Sequence, residues 1–221
     1  MKMVKVIGLL VVSFFFSSAF AQTPTRCGTD EILEQQLQDP KFKRSYQKLE
    51  RLAKKAEDAK RASNMPDLPI TVPIIVHIIH FGEPYGEDNH LSIEFVQESI
   101  DDLNQNFAGE FSIEPTANAQ INFCIANAST TGEPIEGIRY YDWDTLGIES
   151  WDATAFYNND IEVSNLLGYD RNNYCNVFVA PFTSPLGFAY LPPSNYGVYV
   201  GTNAFGITNE GNFGLNKTLV H

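Results

Sequence analysis

Hydrophobic and polar positions follow four different rhythms along the chain. An apolar run fills residues 6–20 behind Lys2 and Lys5 and closes on Ala19-Phe20-Ala21. That is the build of a secretory signal peptide over residues 1–21, too short and wrongly flanked for a membrane span. From Asp30 to Met65 the chain is polar, with Ile32, Leu33, Leu37, Tyr46, Leu49, Leu52 and Ala56 as a sparse stripe. This predicts helix that cannot bury a core alone. The stretch SNMPDLP at 63–69 reads as a linker, which places a boundary near Met65. Beyond it, ITVPIIVHIIH at 70–80 is nearly continuous and β-branched, the pattern of a strand covered on both faces. Pro73 inside that run pushes its start toward a sheet edge.

Ser92 then stands as an N-cap before Ile93, Val96, Ile100, Leu103 and Phe107, spaced three and four apart, while Glu94, Glu98, Asp101 and Asp102 face away. The spacing predicts a helix lying on a sheet. Further strands are predicted at AQINFCIA (119–126), YCNVFVA (174–180), LGFAYL (186–191) and YGVYV (196–200), with a helix over about 151–167. The order predicts an α/β or α+β domain with a small mixed, twisted sheet and packed helices, preceded by a helical segment. The last eight residues, GLNKTLVH, read as a loop, an Asn216 cap and one helical turn ending on His221. A stub of that length does not hold itself together in water.

Composition adds a division of charge. Residues 1–66 carry 12 Lys and Arg against 7 Asp and Glu, and residues 67–221 carry 3 against 20, within a net charge of −12. Two functional pieces are implied, 22–66 and 67–221. A body with so few cations cannot neutralise a phosphate backbone, so nucleic acid is excluded as partner. The three cysteines, Cys27, Cys124 and Cys175, leave one over in an oxidising compartment. A Cys124–Cys175 bridge and two packed thiols are both open. His77 and His80, three apart on one strand, point to opposite faces and do not share a metal. Asp142, Asp144 and Asp152 are candidate calcium ligands or solvated surface charge. No GxSxG elbow occurs.

The pieces VPIIVHIIH, IEFVQESIDDLNQNFA, INFCIA, GIRYY, YCNVFVAPF, LGFAYLPP, YGVYVGTNAFG and NKTLVH, in that order, resemble the N-terminal part of the pappalysin/ulilysin family of metzincin zinc metallopeptidases. The resemblance implies that 67–221 is the N-terminal part of a catalytic domain and that 22–66 is its propeptide. His221 then aligns with the first ligand of an HExxHxxGxxH motif, with the general-base Glu and remaining ligands expected after the chain end. The chain as it stands is expected to be an inactive fragment of a secreted zymogen.

Three further roles follow from the resemblance. RCGTD at 26–30 resembles a cysteine switch, in which Cys27 fills the open zinc position, with Asp30 as the carboxylate alternative. Residues Tyr196, Gly197, Val198, Tyr199 and Val200 resemble the edge strand that pairs with an extended peptide substrate. The implied cofactor is zinc, with calcium possible, and the implied partner is a peptide or protein substrate. The competing expectation is a non-enzymatic exported binding domain whose loops, 157–160 and 193–196, contact a partner.

Overall fold

The computed structural model describes residues 27–63, 68–110, 118–148, 159–182, 184–194 and 196–206. The elements are α1 (Thr29–Gln36), α2 (Pro40–Ser63), β1 (Ile70–His80), α3 (Ile93–Phe107), β2 (Ile121–Ile125), β3 (Ile138–Asp142), α4 (Asp160–Leu167), β4 (Cys175–Ala180), β5 (Gly187–Ala189) and β6 (Val198–Gly201). The signal-peptide run, the linker at 64–67, residues 151–158 and the ending through His221 lie outside the described residues. Among the described residues no helix is long and apolar enough to cross a membrane.

One six-stranded sheet runs β2-β1-β4-β6-β5, with β3 also pairing with β1. All pairings are parallel except β5 with β6. β2 takes the first half of β1 and β3 the second, on the same side, so one long apolar strand serves three neighbours. This accounts for Pro73. Ile70 N and Ile74 O point to the β2 side, so Pro73, out of phase with them, points to the β4 side. β4 begins its pairing only at Ile74, and the missing N–H therefore faces a position where no strand runs.

The continuous run in β1 is buried on both faces because each face has its own cover. Ile74, Val76 and Ile78 meet Val96, Ile100 and Leu103 of α3, together with Val177, Val179, Val200 and Phe205. Ile79 turns to the opposite layer, with Trp143, Val163, Leu167, Phe178, Phe188 and Tyr199. Each fully buried aliphatic side chain contributes roughly 1.5–3 kcal/mol, so the two layers supply most of the stabilisation. Ser92 caps α3 by accepting from Phe95 N (3.2 Å), as its position predicts. Ile93 departs from the predicted stripe. At the first helical position it lies beyond the sheet's footprint and is 41% exposed.

The helix expected at 151–167 is described only over its last eight residues, as α4. The Cys124–Cys175 alternative is resolved against a bridge. Both thiols are free, and β1 runs between their strands, pairing Pro73 with Cys124 and Ile74 with Cys175. Two strand spacings are about 10 Å, beyond the reach of a disulfide.

Candidate functional site at the sheet edge

The edge of the sheet is β5, a short antiparallel strand, and its pleat decides which groups face outward. Gly201 N donates to Leu186 O (2.8 Å) and Tyr190 N to Gly197 O (3.1 Å), so the even positions of this strand bond to β6. Gly187 and Ala189 turn the other way, to the open edge. Both are met by the chain's own N-terminal segment. Gly28 N donates to Gly187 O (2.9 Å), Cys27 forms a parallel bridge with Gly187, and Ala189 N donates to Thr29 Oγ1 (3.0 Å). A side-chain hydroxyl stands in for a strand carbonyl because α1 begins at Thr29 and carries the backbone away.

α1 secures this contact from above. Ile32 is the one residue of the polar stripe that becomes fully buried, 3% exposed, and joins the layer of Phe188 and Tyr199. At the end of α1, Gln36 Nε2 donates to Ser194 Oγ (2.6 Å). Beneath the segment, Asp160 is buried, accepts a 2.5 Å hydrogen bond from the Tyr190 hydroxyl, and has its carboxyl pushed upward by burial. Tyr199 donates to Asp160 O (2.8 Å), which fixes α4 against β6. Asp160 and Asn159 belong to the loop considered above for partner contact, and both are interior.

The predicted site residues are only partly brought together. Cys27 is half-buried at the edge, its thiol donating to Thr29 Oγ1 (3.3 Å), whereas Asp30 is exposed in the first turn of α1. His221 lies outside the described residues. Tyr196 to Val200 do not form an edge. Val198 to Val200 lie in β6, which is flanked by β4 and β5, and Tyr199 is fully buried. Gly197, at φ +107°, lies where a Cβ would sit 2.6 Å from Asn176 O, so glycine serves close packing there. The backbone at the rim belongs to Gly187 and Ala189, inside the strand predicted at 186–191, whose place at the edge gave no sequence signal.

Among the described residues, no three His, Cys, Asp or Glu side chains come together to hold a metal. Asp142 accepts from Asp144 N (3.1 Å) as a local turn cap. His77 and His80 face opposite layers. His80 stacks on His90 at 3.8 Å between ring centroids, and His77 stacks on Phe178 at 4.6 Å. His77 Nε2 donates to Asn176 Oδ1 (2.8 Å), with the Tyr141 hydroxyl 3.3 Å from Nδ1. Burial lowers the His77 pKa to about 4, against the opposing effect of the hydrogen bond it donates to Asn176.

This depression has a sign that can be measured. A histidine held neutral contributes stability that is present above its unfolded pKa, near 6.5, and lost as pH falls through about 4. His80, also depressed by burial and by His90, acts in the same direction. Unfolding free energy should therefore drop by about 3 kcal/mol between pH 6.5 and 4 through His77. Urea titrations across that range check it, and His77→Gln should flatten the profile.

A mixed sheet with one antiparallel edge strand, a helix packed across the parallel strands, and a helical N-terminal segment laid on that edge make up an α+β fold. Among solved structures, it is shared with a promirolysin point mutant of Tannerella forsythia. That match has a TM-score of 0.61 at 21% identity, covering 88% of this chain and 66% of that one. Mature mirolysin of T. forsythia in complex with a cleaved peptide matches at TM-score 0.55 and 21% identity, covering 71% and 62%. Mirolysin in complex with a compound matches at 0.56 and 21%, covering 70% and 62%. The chain thus spans less than two thirds of these neighbours. No family model matches the sequence, and no curated protein matches it by sequence.

Proposed function

We propose that the chain is the N-terminal part of a secreted zinc metalloendopeptidase precursor of the pappalysin/ulilysin kind. Residues 1–21 are its signal peptide, 22–66 its propeptide and 67–221 the first part of its catalytic domain. The observation that carries the reading is the occupied edge. The outward groups of Gly187 and Ala189, where an extended peptide would add as a further strand, are taken by Gly28 and Thr29 of the same chain. A segment bonded there excludes substrate from the same groups.

A second observation supports the propeptide boundaries. The promirolysin match covers 88% of this chain and the mature mirolysin match 71%. The difference is about 37 residues of 221, the length of 27–63, where α1 and α2 lie. Cys27, half-buried beside the edge, is the better candidate for a blocking ligand than exposed Asp30. Bound zinc would supply an activated water; His221 is proposed as its first protein ligand, with the general-base Glu following. The chain's own part in that chemistry is to present a peptide along β5 and, before processing, to keep it out.

The test uses the precursor extended through the motif that His221 begins. Intact precursor should be silent against casein, and Cys27→Ala should show chelator-sensitive hydrolysis before any cleavage of the precursor is visible on a gel. If Cys27→Ala stays silent while Asp30→Ala is active, the carboxylate is the blocking group. A reading frame without Glu and a second His after His221 would sink the peptidase reading.

A further inference from the structure

The basic residues are distributed so that one class of enzyme can separate the two pieces of this chain without harming the larger. Nine of the 15 lysines and arginines lie in α2, and between Arg61 and Arg139 there are none. From Gln47 to Ala62 every residue of α2 is exposed. Arg61 has 76% of its side chain accessible and, among the described residues, pairs with exposed Glu57, which water screens. α2 ends at Ser63, so the Arg61–Ala62 bond sits in a terminal turn that frays.

The cations of the body are placed differently. Arg139 sits within β3, its backbone in register with His77 of β1, its guanidinium 4.4 Å from the Tyr169 ring and its Nε donating to Glu136 O. Arg171 donates to Ser164 O and Asn165 Oδ1 and lies 5.5 Å from the Tyr196 ring. A protease must extend several residues on each side of the bond it cuts, and both sites are held by tertiary structure. Lys217 lies outside the described residues.

The docked piece is itself spared. No Lys or Arg occurs between Arg26 and Lys41, and among the described residues the bridge and hydrogen bonds of the segment to the edge and the buried Ile32 fall in this stretch: Cys27, Gly28, Thr29, Ile32 and Gln36. From this distribution we infer that Arg61–Ala62 is a processing site for a Lys/Arg-specific endopeptidase, and that processing proceeds in two separable steps. The enzyme adds water across the Arg61–Ala62 peptide bond, leaving the carboxylate on Arg61 and the new amine on Ala62. It also cuts along α2 up to Lys41. The N-terminal peptide ending at Lys41 stays seated on β5 by its hydrogen bonds and by Ile32, so severance precedes release. The inference takes from the proposed function only that 22–66 is a removable segment.

The experiment is limited digestion of the folded full chain with trypsin at neutral pH, read by intact mass and by size exclusion. The expected products are a stable body starting at Ala62, apart from trimming at Lys217, and the N-terminal peptide ending at Lys41 co-eluting with it. Ile32→Asp should give the same body but release the peptide. Lys60→Gln with Arg61→Gln should move the start of the body to Ala56. First cuts at Arg139 or Arg171 would overturn the inference. So would a wild-type peptide that separates at once, or a double variant whose body still begins at Ala62. All readouts are masses and elution volumes, so a chain that proved not to be a peptidase would leave them unchanged, and failure of either reading is seen separately.

Discussion

Asn176→Leu is expected to be the most destabilising single substitution in the body, lowering unfolding free energy by about 3–5 kcal/mol. One buried side-chain amide ties the backbone of the turn before β4, at Tyr169 and Tyr174, to the His77 ring. Its Oδ1 accepts from Tyr169 N (2.8 Å) and from His77 Nε2 (2.8 Å). Its Nδ2 donates to Tyr169 O (2.8 Å) and Tyr174 O (3.2 Å). Leucine fills a similar volume and makes none of these bonds, leaving buried polar groups on the turn before β4 and on His77 without partners. Denaturant titration measures the loss. Asn176→Asp separates hydrogen bonding from packing, because it keeps the shape and an acceptor but loses both donors. A loss under about 1 kcal/mol for the leucine variant would mean that the network is dispensable.

Ile32→Asp is expected to undo the N-terminal segment while leaving the body folded. Ile32 is the apolar anchor of α1, and an aspartate there would have to carry a charge into the layer of Phe188 and Tyr199. Loss of a buried aliphatic contact alone costs about 2–5 kcal/mol, so the segment should open at least tenfold more often. Hydrogen exchange reads this directly. The amides of Gly28 and Ala189, bonded across the edge, should lose protection, while those of β1 and β4 keep theirs. Equal loss everywhere would show that α1 belongs to the core fold rather than lying on it.

α2 gives the contrasting case. Its Leu49 and Leu52 belonged to the same predicted stripe as Ile32, yet they are 39% and 51% exposed. Helical periodicity says which side chains share a face, not whether a surface waits opposite them. Docking ends within the first turns of α2, where Phe42 and Tyr46 are half-buried and stack at 6.0 Å.

What the sequence determined was local. The unbroken β-branched run of β1, the Ser92 cap and the three-and-four spacing of α3 depend on neighbours within a few residues, and apart from Ile93 the structure places them as read. The helical character of the N-terminal segment belongs with them, since it follows from propensity along the chain. Only the tertiary structure decided which strand is the edge. The aromatic, β-branched YGVYV advertises a strand and becomes interior β6, while the three residues Gly187–Ala189 form the open rim. Sheet order is set by pairing between segments far apart in the chain, and alternation within a strand carries no record of its neighbours. The same holds for Cys124 and Cys175. Their positions in two strands were legible, but the strand that separates them was a fact of topology.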